Sequence, residues 1–145
     1  MRHDNVRRGA WRLGLAGLVT VLAATLLPAQ AAAVEPKPGW GTVSAEDGVL
    51  KASCRNYPYS YSVTAPEDGY WDLSVTVIGP GGRDLWFGYL YEDANPASGT
   101  AMFRLCRSKV RPGRYKLRAI VSVQDGDDNI AGRLKTDIFH LRKRR

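Results

Sequence analysis

Hydrophobic and polar residues alternate along much of the chain beyond residue 50. Trp71, Leu73, Val75 and Val77 are separated by Asp72, Ser74 and Thr76, the period of two expected of a strand with one buried face. In "RDLWFGYLYED" the same reading places Leu85, Phe87, Tyr89 and Tyr91 together and turns Trp86 to the other side. Tyr115, Leu117, Ala119, Val121 and Val123 form a further row, with Lys116 and Arg118 opposite. Two shorter candidates are "TAMFRLC", with Ala101, Phe103 and Leu105 inward, and "KTDIFHLR", with Phe139 and Leu141 inward. No amphipathic helix is predicted.

The segment "CRNYPYSYSV" sets Tyr57, Tyr59 and Tyr61 at alternate positions and ends on Val63. Because Val63 belongs in a core, the tyrosines on its face are expected to lead into that core. Pro58 cannot donate to a strand ladder, so this end is expected at an edge or a bulge. The competing reading is a sugar-stacking or partner-binding face, for which Trp86, Tyr57 and Tyr59 are the candidate aromatic contacts, Trp86 first.

Turn signals separate these runs: Pro66 to Gly69, Gly79 to Gly82, Asn95-Pro96, Arg111 to Gly113 and Asp125 to Asp127. The pattern predicts an all-β chain, an antiparallel immunoglobulin- or fibronectin-like β-sandwich of about seven strands. A closed barrel is the alternative.

The beginning of the chain reads differently. Arg2, Arg7, Arg8 and Arg12 precede an uncharged run from Leu13 to Leu27, and Ala29-Gln30-Ala31 fits a cleavage site. Residues 1–31 are therefore expected to be a secretory signal peptide, with cleavage after Ala31 or, next, Ala33. Sec export is preferred over the twin-arginine route, because Gly9-Ala10 follows Arg7-Arg8 where a hydrophobic pair belongs. Residues 32–41 read as a flexible lead-in and 42–145 as a single β-sandwich domain. A secreted, extracellular location follows, with no transmembrane segment after cleavage.

Export changes the charge balance. The whole chain carries 21 basic and 14 acidic residues, a net charge of +7; removing four arginines and one aspartate leaves 17 and 13, a net +4. It also bears on Cys54 and Cys106, the only two cysteines, which an oxidising compartment favours pairing. Such a disulfide closes a long loop and is worth on the order of 4 kcal/mol in a chain-entropy account.

The order "DGYWDLSVTVIGPGG", "SGTAMFRLC", "RPGRYKLRAIVSV" and "FHLRKR" resembles small secreted immunoglobulin-like proteins of actinobacteria, most without an assigned activity. The resemblance covers residues 42–143 and implies a fold and no function. Cys54, Trp71 and Cys106 echo the antibody-type spacing only in part.

Catalytic patterns are sparse. His140 lies in a terminal strand and no G-x-S-x-G motif accompanies it. The acidic pairs Glu46-Asp47, Glu67-Asp68 and Glu92-Asp93 sit beside turn signals, where solvated carboxylates are ordinary. Asp125, Asp127 and Asp128, with Asn129, form a weak calcium candidate against the preferred reading of a solvated hairpin loop; Ile130 and Thr136 occupy the positions where an EF-hand needs Gly and Glu. No cofactor is called for.

Charge supplies the strongest functional signal. Arg104, Arg107, Lys109, Arg111, Arg114, Lys116 and Arg118 lie within 15 residues that contain no acid, and are expected to align on antiparallel neighbours as a basic stripe. The function expected is that of an exported, non-catalytic β-sandwich acting by surface contact, with an anionic cell-envelope polymer or polysaccharide as partner and no specific nucleic acid. The alternatives are a carbohydrate-binding module using exposed aromatics and, more weakly, a small secreted hydrolase.

Overall fold

The computed structural model describes residues 33–64, 66 and 69–143. The expected signal peptide, Glu67-Asp68 and the last two arginines lie outside these residues. Among the described residues nine strands are present: β1 Gly41–Ser44, β2 Gly48–Leu50, β3 Cys54–Val63, β4 Tyr70–Ile78, β5 Asp84–Tyr91, β6 Ser98–Cys106, β7 Gly113–Asp125, β8 Asp128–Arg133 and β9 Asp137–Lys143. They form a three-stranded sheet in the order β1-β3-β6 and a six-stranded sheet in the order β2-β9-β7-β4-β5, with β8 also paired to β7. All pairings are antiparallel except β2 with β9. Two layers of strands are what the alternating pattern demands, since each sheet has one face to bury.

The five strands expected from the pattern are β3 to β7, with β9 as a sixth, and β1, β2 and β8 are additional. β8 and β9 lie end to end along β7, pairing with residues 120–125 and 113–117 respectively. β1 and β2 are only four and three residues long, too short for a period of two to register. Ahead of β1, Lys37 N donates to Arg133 O at 2.9 Å and Arg133 N to Glu35 O at 2.8 Å.

Between the sheets lies an aromatic chain. Tyr57 stacks on Phe103 at 5.5 Å, Phe103 meets Phe139 at 5.6 Å, and Phe139 stacks on Tyr115 at 5.4 Å. The chain thus runs from the small sheet to the large one. Leu73, Val75, Val77, Leu117 and Val121 are sealed from solvent around it. Two of the β3 phenols find partners at the margin of this core: Lys51 N donates to Tyr57 Oη at 2.8 Å, and Tyr61 Oη donates to Pro96 O at 3.1 Å.

Two expectations about Tyr57 and Tyr59 therefore separate. Their place in the core holds, and their candidacy as surface contacts does not, since they are 7% and 3% exposed. Pro58 sits opposite Met102 in the stretch of β3 that β1 does not reach, so its missing N–H costs no ladder bond on that open side.

Cys54 and Cys106 are bonded, with Cα atoms 3.8 Å apart. They face one another across β3 and β6. The disulfide therefore staples two strands of one sheet and does not join the sheets, unlike the antibody-type pin.

Candidate functional site

The segment expected to form one basic stripe is divided between the sheets. β6 pairs with β3, whereas β7 pairs with β4, β8 and β9, and residues 107–112 cross from one layer to the other. Arg104, Arg107, Lys109 and Arg111 fall on the crossing side and Arg114, Lys116 and Arg118 on the outer face of the large sheet. Adjacency in sequence carries no information about which strand becomes a neighbour.

On the crossing side the chain encloses an open groove of about 840 Å³. Arg83, Arg104, Arg107, Lys109 and Arg111 line it, and Asp84 is the sole acid among the lining residues. Arg104 projects outward because its neighbours Phe103 and Leu105 point into the core, 1% and 2% exposed. A short 3-10 turn at Arg107–Lys109 follows β6 directly. It is fixed at its start by the disulfide and by Arg107 N donating to Ser53 O at 3.1 Å, and just beyond its end by buried Val110. Arg111 is held by its own carbonyl, which accepts from Tyr115 Oη at 2.5 Å.

Electrostatically the groove is unbalanced. Among the described residues none of its five cations has a carboxylate within ion-pair distance, and Asp84 is approached at 3.7 Å by Arg118 from the neighbouring face. Such convergence of like charge is unfavourable for folding and favourable for an anionic ligand. Arg83 joins this site from just before β5, a position that no charge run in the sequence marks.

The second cluster lies on the outer face of the large sheet, where Arg114, Lys116 and Arg118 surround a shallow hollow of about 360 Å³ with Arg133 and Ile138. Asp72, on the same face, has its carboxyl pushed above the ordinary range by burial, while a hydrogen bond from Ser122 works in the other direction.

Strand β5 reverses its expected faces. Its register against β4 shifts between Val77 and Ile78, so that Val77 is opposite Trp86 and Ile78 opposite Asp84. The bulge brings Leu85 and Trp86 to the inner side in succession. Trp86 packs on Tyr59 at 6.2 Å and Phe103 at 6.3 Å, and is not the exposed aromatic expected. Gly88 was the available signal, since a Cβ there would lie 2.4 Å from the Trp86 ring. Phe87, Tyr89 and Tyr91 stand outward instead, 53%, 51% and 44% exposed.

The remaining candidates do not converge. Asp125 and Asp128 are a cross-strand pair closing the β7–β8 hairpin, with Gly126 at φ 56°. Among the described residues no group of three acidic, histidine or cysteine side chains, Asp125, Asp127 and Asp128 included, is placed to hold a metal. Asp47 Oδ1 accepts from His140 N at 2.6 Å, Glu92 Oε2 from Trp71 N at 3.0 Å, and Asp93 Oδ1 from Tyr70 Oη at 2.9 Å. These carboxylates close strand ends. Among the described residues no helix is long and apolar enough to cross a membrane. No protein-family model and no curated protein matches the chain.

Proposed function

We propose that this is an exported, non-catalytic immunoglobulin-like β-sandwich that works by surface contact with an anionic polymer of the cell envelope. The observation that carries the reading is the groove in which Arg83, Arg104, Arg107, Lys109 and Arg111 converge with Asp84 as the lone acid. Cationic side chains aimed into one open channel attract a repeating phosphate or carboxylate, and do so from a distance set by salt. Export is supported by the formed disulfide, a bond that persists in oxidising compartments.

The immunoglobulin-like assignment draws support from two features. Tyr115, near the start of a central strand, hydrogen-bonds back to the main chain four residues earlier, as a tyrosine corner does. The last strand, β9, is flanked by the short parallel strand β2, so the large sheet closes on an early segment of the chain. A non-catalytic role is supported by Asp47, Glu92 and Asp93, whose carboxylates are engaged in closing strand ends.

Contact with neutral saccharide is the second reading, and Phe87, Tyr89 and Tyr91 favour it. Their rings form no flat platform, however: Phe87 and Tyr89 are inclined at 87°. The groove reading is preferred for that reason. Binding to immobilised heparin and to neutral glycans, each over a salt series, separates the two. Heparin binding lost in salt with no neutral binding supports the groove, and salt-insensitive neutral binding contradicts it.

A further inference from the structure

We infer that the hollow on the outer face of the large sheet, where Arg114, Lys116, Arg118 and Arg133 meet beside Thr136, is a site for phosphate, free or as a monoester, separate from the basic groove. The strand register builds it. β8 and β9 lie end to end along β7, and residues 134–136 pass from one to the other, with Leu134 N donating to Ala119 O at 3.0 Å. Arg133 ends β8 on one side of this gap and Ile138 stands in β9 on the other. Lys116 lies directly between Ile78 of β4 and Ile138 of β9, Arg118 is opposite Thr76, and Arg133 is opposite Ile120. Alternation turns Arg114, Lys116 and Arg118 outward together, since Tyr115, Leu117 and Ala119 are buried.

Cations that serve only solubility or the sheet are dispersed among acids or set opposite one. Here the cross-strand neighbours of Lys116 are two isoleucines, and no acid lines the hollow. Asp137, between Thr136 and Ile138, is turned away and accepts from Ala45 N at 2.9 Å. Asp84 approaches Arg118 at 3.7 Å from the margin, an exposed pair that an incoming anion opens at little cost. Among the described residues Arg114, Lys116 and Arg133 have no carboxylate within ion-pair distance. The backbone register thus holds like charges together, and an anion relieves their repulsion. Ile78 and Ile138 also displace water from beside the Lys116 ammonium, which strengthens its attraction for a negative group. The donors select that group. A guanidinium engages two oxygens at once, and a phosphate monoester presents three terminal oxygens and nearly two charges near neutral pH, enough for several of these cations together. A carboxylate or a phosphodiester carries a single charge and serves fewer. The groove reading concerns charges repeated along a polymer and the hollow a single dianion, so neither depends on the other.

Amide resonances of the disulfide-intact protein, followed as inorganic phosphate, glycerol 3-phosphate, dimethyl phosphate or acetate replaces chloride at constant ionic strength, test the inference. Inorganic phosphate is expected to give saturable shifts confined to residues 114–118 and 133–138, with the diester and acetate at least about tenfold weaker. Glycerol 3-phosphate binding as tightly as inorganic phosphate assigns the site to esters, and weaker binding assigns it to the free anion. Replacing Arg104, Lys109 and Arg111 of the groove by glutamine is expected to leave these shifts in place. Lys116→Gln with Arg118→Gln is expected to abolish them; should that variant misfold, Arg133→Gln, exposed at the end of β8, is expected to weaken binding at least about tenfold. Shifts that never saturate, shifts that survive the Lys116 and Arg118 changes, acetate or the diester matching phosphate, or loss in the groove variant overturns the inference. A protein that takes phosphate here and fails to bind heparin keeps this site and loses the polymer reading.

Discussion

Tyr115, sealed in the core, donates its hydroxyl to the carbonyl of Arg111, whose side chain lines the basic groove. One hydrogen bond thus links the interior of the sandwich to the presentation of charge at its rim. Tyr115→Phe keeps the ring stack on Phe139 and leaves that carbonyl without its partner. The expected cost is about 1 kcal/mol, read as a lower melting temperature, together with elution from heparin at lower salt.

The disulfide bears on the same rim. Free-thiol titration of the unreduced protein is expected to find none, since Cys54 and Cys106 are joined. Reduction opens a loop spanning 52 residues and is expected to lower the melting temperature by an amount consistent with about 4 kcal/mol. It should also weaken heparin retention, because the turn carrying Arg107 and Lys109 begins at Cys106.

Trp86 and Phe87 are neighbours with opposite surroundings. Trp86→Ala opens a void against Tyr59 and Phe103 and is expected to cost about 3 kcal/mol. Phe87→Ala removes an outward ring and is expected to stay within about 0.5 kcal/mol. Chemical denaturation of the two variants measures the difference directly, and equal costs would contradict the bulged register.

The same pair shows where sequence reading succeeds and where it stops. The rows of β4 and β7 were legible because alternation ran unbroken and every inward member was apolar. β5 was misread because a single extra residue inverts every face beyond it, and aromatics populate both faces of this strand. Composition exposed the cations of the groove, yet their division between sheets depends on which strands pair, a long-range property absent from local pattern. Arg83 shows the converse, reaching the site through a turn and not through any run of charge.

Burial of Tyr59, with Tyr61 beside it, lifts its phenol from 10.0 to about 12. A raised folded-state value means that the folded protein holds the proton more tightly than the unfolded chain. Its contribution is complete below pH 10 and is lost as pH rises toward 12. Alkaline titration followed by circular dichroism is expected to show stability falling across that window, less steeply in Tyr59→Phe.

Elution of charge variants from immobilised heparin tests the central claim most directly. Arg104, Lys109 and Arg111 are exposed, so converting all three to glutamine is expected to leave the fold within about 0.5 kcal/mol per site. The account predicts that this variant elutes at markedly lower salt than the wild type, and that Lys116→Gln with Arg118→Gln, on the other face, shifts elution less. A folded triple variant eluting at the salt of the wild type would contradict the account.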